Sequence, residues 1–241
     1  MANVLITNAC RYAGPDAVVA LSGDPHTVLC HDMSFGEADA RAAFKKKCAT
    51  AHPLANTSPE QAVAEAFERS NSIDVLFCNH FQSPEAKPFD ETNDDDFRQT
   101  LETLLVEPYR FIRSALPSLR ASEDPRVIVM TSAAPLRPGA NVSLYTAARA
   151  GANSLVESLA RELGRDGIAV FGIAPNYYAS DDTYSNAAFE KSDRFRASVQ
   201  RNVPLQRLSN ENEMPGLIRY LAYDDSAFLT GQVIAFTGGW A

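Results

Sequence analysis

Six short runs of β-favouring residues, most of them almost wholly apolar, punctuate the chain: Val4–Thr7, Thr27–Cys30, Ile73–Cys78, Val127–Met130, Ile168–Ile173 and Gln232–Phe236. Runs of this kind predict strands buried on both faces, as in a parallel sheet. A weaker seventh candidate sits at 52–55. Helix-length mixed stretches lie between them, at 13–22, 36–48, 93–120 and 143–164. A further helix opens at Ser58-Pro59-Glu60-Gln61, with a Ser cap, Pro at the first helical position and an acid in the first turn. Pro108 predicts a bend in the long helix, and Gly164 marks the end of 143–164. Strands alternating with helices imply right-handed crossovers and a doubly wound α/β fold, a seven-stranded parallel sheet with helices on both faces. Residues 1–241 read as one domain without linker or repeat. The polar and aromatic stretch 176–205 reads as an insertion over the carboxyl ends of the strands, where such sheets bind ligands.

Composition narrows the function classes. The chain has 241 residues, with 22 Lys and Arg against 30 Asp and Glu, a net charge of -8. This acidic balance argues against a nucleic-acid partner, which usually meets a basic face. No apolar run approaches the roughly 20 residues of a membrane helix. The start, Met1-Ala2-Asn3-Val4-Leu5-Ile6, lacks the basic region and cleavage pattern of a signal peptide. Cys10, Cys30, Cys48 and Cys78 are irregularly spaced, and no CxxC occurs. They read as reduced, mostly structural thiols in a cytoplasmic protein. His26, His31, His52 and His80 sit at no metal-ligand spacing, so no metal is expected.

The turn after the first strand reads Thr7-Asn8-Ala9-Cys10-Arg11-Tyr12-Ala13-Gly14. In a dinucleotide-binding fold, glycines here let the backbone approach a pyrophosphate at the helix N-terminus. The layout resembles the T-G-x-x-x-G-x-G pattern of short-chain dehydrogenases/reductases. The first two glycines, however, are replaced by Asn8 and Tyr12, and only Gly14 remains. A tyrosine ring there takes space that a dinucleotide needs. Asp32, after the second strand, stands where a ribose-binding acid would, but an Asp after a strand is commonly a turn or cap residue.

The fifth strand ends Thr131-Ser132. Thirteen positions on comes Tyr145, and then Arg149. Tyr145 and Arg149 share one helix face at i and i+4. A guanidinium beside a phenol favours the phenolate, which can serve as a general base. Ser132, at a strand's carboxyl end, can hold a substrate hydroxyl or oxygen beside it.

With these residues in place, the chain resembles a Rossmann-like short-chain dehydrogenase/reductase throughout, and within that superfamily the halohydrin (haloalcohol) dehalogenases. That family lacks NAD(P), carries Ser-Tyr-Arg where the reductases carry Ser-Tyr-Lys, and has an aromatic in the first turn. Ser132, Tyr145, Arg149 and Tyr12 match these features. The resemblance runs on through Val203-Pro204-Leu205-Gln206-Arg207-Leu208 and Phe236-Thr237-Gly238-Gly239-Trp240. It implies a halide site in the loop Pro175-Asn176-Tyr177-Tyr178, with Tyr12 as the opposite wall. There, consecutive backbone N–H groups and ring edges would hold a weakly hydrated anion. Tyr178 departs from the aliphatic residues familiar at its place.

The resemblance further implies the reaction: cofactor-independent conversion of vicinal haloalcohols to epoxides and halide, with reverse ring opening by small anions. Ser132, Tyr145 and Arg149 would be catalytic. By position in flanking loops, Ala134, Leu136, Pro138, Asn141, Val142, Tyr184 and Phe189 are candidates for the substrate pocket. A divergent NAD(P)-dependent oxidoreductase, with Arg149 in the usual lysine's place, is the rival reading. A non-catalytic binding protein is a third, and the intact Ser132/Tyr145/Arg149 set argues against it. The fold resemblance also implies a homotetramer, its long helices pairing with their copies through Phe97, Leu101, Leu104, Leu105, Leu155, Val156 and Leu159, unless these are ordinary core. The chain ends at Ala241, so no long C-terminal tail is expected to wall the site, and Trp240 is a candidate for a related role.

Overall fold

The computed structural model describes residues 1–23 and 25–241. Its strands are β1 Asn3–Ile6, β2 Thr27–Cys30, β3 Ala51–Pro53, β4 Val75–Cys78, β5 Arg126–Met130, β6 Ala169–Pro175 and β7 Val233–Phe236. All pair in parallel, in the order β3-β2-β1-β4-β5-β6-β7. The six apolar runs are all strands, and the weak candidate near His52 is the edge strand β3. Successive strands are added outward to one side from β1 to β3 and to the other from β4 to β7, and this switch between β1 and β4 opens the ligand crevice of doubly wound folds at their carboxyl ends.

Side chains alternate between the two faces of each strand. Val4 and Ile6 of β1 join Val28, Phe77 and Phe171 on one face. There they pack on Ala17 and Leu21 of α1 (Gly14–Leu21) and on Ile218 and Leu221 of α9 (Glu213–Tyr223). Leu5, Leu29 and Leu76 face the other way. They meet Ala62 and Ala66 of α3 (Pro59–Ser70), Phe111 and Leu119 of α5 (Glu107–Ala121), and Val156 and Ala160 of α6 (Ser143–Leu163). Two apolar faces explain the continuous apolar runs in the sequence.

One of the two helix expectations differs from the structure. The long helix does not simply bend at Pro108. α4 (Asp94–Leu101) passes into α5 through a π-helical turn, Glu102–Val106, in which the Glu107 N–H reaches back to the Glu102 carbonyl. Pro108 lacks an N–H, and its ring crowds the carbonyl four residues earlier. A widened turn absorbs both defects. Gly164 does end α6, standing at its C-cap after Leu163. It keeps right-handed helical angles and starts a short 3₁₀ turn. The reversal comes at Gly167, whose φ of 76° is left-handed and cheap only for glycine.

The segment after β6 folds into α7 (Asn186–Lys191) and α8 (Asp193–Asn202). Its aromatic residues Tyr177, Tyr184, Phe189 and Phe195 pack on Val199, Val203 and Leu208 as a small third core. Of the helix-pairing candidates, Leu104 and Val156 are buried within the protomer, whereas Phe97 is exposed and Leu101, Leu105, Leu155 and Leu159 are half-buried. Cys30 and Cys78 are buried, Cys48 is half-buried and Cys10 is exposed. Among the described residues no helix is long and apolar enough to cross a membrane.

Candidate active site

The first turn has kept a backbone shaped for glycine. Asn8 and Tyr12, standing at the two replaced glycine positions, have φ of 47° and 53°. Both are left-handed, which is mild for Asn and strained for Tyr. Gly14 is obligatory: a Cβ there would lie 2.6 Å from the carbonyl oxygens of Asn8 and Ala9. Asn79, just past β4, braces the turn. Its side-chain amide donates to the Asn8 and Arg11 carbonyls at 2.9 and 2.8 Å. Its backbone N–H donates to Thr7 Oγ1. Asp32 acts as a cap, accepting from the Cys10 and Ser34 N–H groups.

What fills the turn is the Tyr12 ring. It stacks on Phe81, beyond β4, with centroids 4.3 Å apart. It also meets Tyr178, beyond β6, edge-on at 5.4 Å. The ring therefore spans the crevice between the two halves of the sheet. It forms one wall of a cavity of about 430 Å³ that Ser132, Tyr145, Pro175, Asn176, Tyr177 and Tyr178 also line.

Arg149 lies behind this cavity and is fully buried. Its Nη1 donates to the Met130 carbonyl at 2.9 Å and its Nη2 to the His80 carbonyl at 3.0 Å. Its Nε points at the Tyr145 hydroxyl at 3.4 Å, with the guanidinium carbon 5.4 Å from the ring centre. A buried cation satisfied by neutral carbonyls keeps its full charge available to the phenol oxygen. Ser132, 5% exposed, accepts at Oγ from the Ala134 N–H at 3.1 Å, which leaves its own hydroxyl hydrogen free to donate. Asn153, one turn past Arg149 on α6, donates to the Ser132 carbonyl at 3.2 Å and fixes that strand end.

The loop after β6 differs from the expected run of free N–H groups. The Asn176 N–H is spent on the Phe236 carbonyl and the Tyr177 N–H on Asn176 Oδ1. The Tyr184 hydroxyl also donates to Asn176 Oδ1, at 3.2 Å. With its oxygen so occupied, Asn176 offers its NH₂ as a donor. Among the described residues nothing accepts the Tyr178 N–H. The donors open to an anion are thus one side-chain amide, one backbone N–H and aromatic edges. The bond from the Asn176 N–H prolongs the pairing of β6 with β7 past Pro175, and that from the Tyr177 N–H is a local turn closed by the Asn176 side chain, after which Tyr177 is left-handed with φ of 55°. Tyr178 is buried and donates from its hydroxyl to Asp16 Oδ2 at 2.7 Å. Burial pushes the phenols of Tyr12 and Tyr178 well up and that of Tyr184 to about 12. All three stay neutral donors at ordinary pH.

Of the pocket candidates, Ala134, Val142 and Tyr184 line the cavity, whereas Leu136, Pro138, Asn141 and Phe189 do not. Leu136 is exposed, and Asn141 borders a separate groove on the far side of Tyr145. Phe189 packs into the third core against Phe195. In their place stand Phe81, Ser83, Arg137, Asp182 and Trp240. Trp240 is held there by Arg137, which lies over its ring at 5.3 Å and donates to its carbonyl.

The family model for enoyl-(acyl carrier protein) reductase matches residues 39–241. A curated relative is the 3-oxoacyl-[acyl-carrier-protein] reductase MabA of Mycobacterium avium. It is 26% identical over 237 residues, 98% of this chain and 89% of its own. Among solved structures, one described as a dehalogenation enzyme is 36% identical, covers 100% of this chain and 98% of its own, and superposes with a TM-score of 0.93. The halohydrin dehalogenase HheC, bound to ethyl (2S)-oxiran-2-ylacetate, is 31% identical. It covers 99% of this chain and 96% of its own, at a TM-score of 0.95. The reductase relatives share the frame, but both of these dehalogenation-enzyme structures are more similar in sequence than MabA. The chain belongs to the halohydrin dehalogenases, within the short-chain dehydrogenase/reductase superfamily.

Proposed function

We propose that the protein is a carbon–halide lyase that converts vicinal haloalcohols to epoxides and halide without a redox cofactor or metal, and that it opens epoxides with small anions in reverse. The observation that carries this reading is the Tyr12 ring, stacked on Phe81 and closing the crevice beside Ser132 and Tyr145. The ring takes space that the pyrophosphate of a nicotinamide dinucleotide would need, which supports a reaction without one.

The substrate hydroxyl binds between the Ser132 hydroxyl, as donor, and the Tyr145 phenolate oxygen. The Arg149 charge balances the negative charge on that oxygen. Tyr145 takes the hydroxyl proton. The substrate oxygen then attacks the neighbouring carbon, the carbon–halogen bond breaks with its electron pair, and halide leaves towards Asn176 and Tyr178. The proton on Tyr145 passes to water, so the products are epoxide, halide and H⁺. Donors placed where charge develops lower the barrier. The pocket is neutral or aromatic on most sides, which suits a weakly hydrated anion.

The assay is halide release from short haloalcohols without added nucleotide. Tyr145→Phe is expected to lose activity by about 10²–10⁴-fold. Hydride transfer with tight NADH or NADPH binding would establish the oxidoreductase instead. Cytoplasmic residence and a homotetramer complete the proposal. The half-buried leucines on α4 to α6 support the tetramer, and sedimentation equilibrium tests it.

A further inference from the structure

Asp182 lies 170 residues from Tyr12 in sequence, yet its Oδ2 accepts the Tyr12 backbone N–H at 2.6 Å. Its Oδ1 accepts from Arg11 Nη2 and Nε at 2.8 and 3.0 Å. Arg11 in turn lies 6.0 Å over the Phe81 ring, the partner on which Tyr12 stacks. Asp182 also borders the main cavity, so a carboxylate stands beside a site assigned above to anions.

Two physical problems meet at this point. A tyrosine in the left-handed region persists only where its surroundings over-determine it. Asn79 holds the turn from the sheet side, through the carbonyls of Asn8 and Arg11. No contact from that side touches the Tyr12 N–H. A carboxylate at an anion pocket also opposes the anion unless a cation covers it.

We infer that Asp182 is a positioning residue: its carboxylate fixes the Tyr12 backbone so that the ring stands on the cavity wall, and Arg11 covers the charge this arrangement introduces. The segment after β6 thereby completes a wall built by the segment after β1. A plain surface ion pair would be a competing account. Arg11 is 66% exposed, and such a pair contributes little to stability. It would, however, leave anion affinity and the Tyr12 amide unaffected.

The experiment uses the full chain and three variants, Asp182→Asn, Asp182→Ala and Arg11→Met. Bromide affinity is read by quenching of Trp240 fluorescence, kcat/KM by halide release, and the Tyr12 amide by hydrogen exchange. Arg11→Met is expected to weaken bromide binding about three- to tenfold by uncovering Asp182. Asp182→Asn is expected to tighten it, because the carbonyl still accepts the Tyr12 N–H while the negative charge is gone. Asp182→Ala is expected to lower kcat/KM about tenfold and to speed exchange at Tyr12, with Asn recovering most of both losses. Equal bromide affinity in Arg11→Met and Asp182→Asn, or unchanged Tyr12 exchange in Asp182→Ala, overturns the inference. If Asp182→Ala does not fold, Tyr12 exchange in Asp182→Asn decides, since a neutral carbonyl accepts the N–H more weakly than a carboxylate and exchange is expected to rise modestly, unchanged exchange overturning the inference. The inference rests on the halide-release reading for the identity of the anion. Should the unmodified protein neither bind bromide nor release halide, that reading fails, whereas Tyr12 exchange still tests the positioning role.

Discussion

His80 is buried, 1% exposed, and neither ring nitrogen has a hydrogen-bond partner among the described residues. The charged groups facing it offer an imidazolium little. Arg149 repels it, His31 is a second imidazole, and Glu107 stands 3.8 Å away with its own carboxyl pushed up by burial. Burial therefore pulls the ring's pKa from its ordinary 6.5 to about 3. The folded-state value lies below the unfolded one, so between these limits the unfolded chain binds a proton that the folded chain refuses. Stability is then full above about pH 6.5 and falls as pH drops towards 3. At about pH 5 the gap from 6.5 is about 1.5 units, or about 2 kcal/mol. For a chain of this size that is about 4–8 °C in Tm. The perturbation is His80→Asn, a side chain that does not titrate. Thermal melts at about pH 7.5 and about pH 5 give a drop for each protein, and the cavity cost of the substitution cancels in the difference. The variant's drop is expected to be smaller by about 4–8 °C. Equal drops would refute the reasoning, since His80 would then be reaching water or a proton in the folded state.

Other expectations follow from single contacts. Arg149→Met leaves the Met130 and His80 carbonyls without donors, at about 1–3 kcal/mol for each buried group, and is expected to abolish halide release while lowering Tm. Gly14→Ala drives a Cβ against two carbonyl oxygens and is expected to cost about 3 kcal/mol or more in urea unfolding. Asn79→Ala removes two side-chain hydrogen bonds from the first turn and is expected to cost about 1–3 kcal/mol, with KM for haloalcohol rising as Tyr12 loosens.

The sheet was legible because its inner strands β4, β5 and β6 are buried on both faces, which forces apolar runs that no exposed helix would carry. Ser132 and the Tyr145–Arg149 pair were legible for a local reason: one is fixed by a strand end, the others by a single helical turn. The pocket wall was not. Leu136 and Tyr184 are both apolar-bodied residues in loops, and only the third core, which draws Phe189 away from the cavity, decides which ring faces inward. Phe81 and Asp182 carry no sequence signal of their own. Their roles exist only because β1, β4 and β6 end side by side. The run of free N–H groups was not legible for a similar reason, since the pairing of β6 with β7 takes the Asn176 N–H and the Asn176 side chain takes that of Tyr177.

Asn8 and Tyr12 also bear on how such a chain can change. The backbone of the first turn has the conformation that glycines favour, so what closes this turn is side chains alone. Glycine at position 12 would relieve about 1–2 kcal/mol of backbone strain, against which the ring's stacking on Phe81 must hold. That relief is set against the loss of the ring's contacts with both Phe81 and Tyr178, so the tyrosine is held by its own packing as well as by its place on the cavity wall.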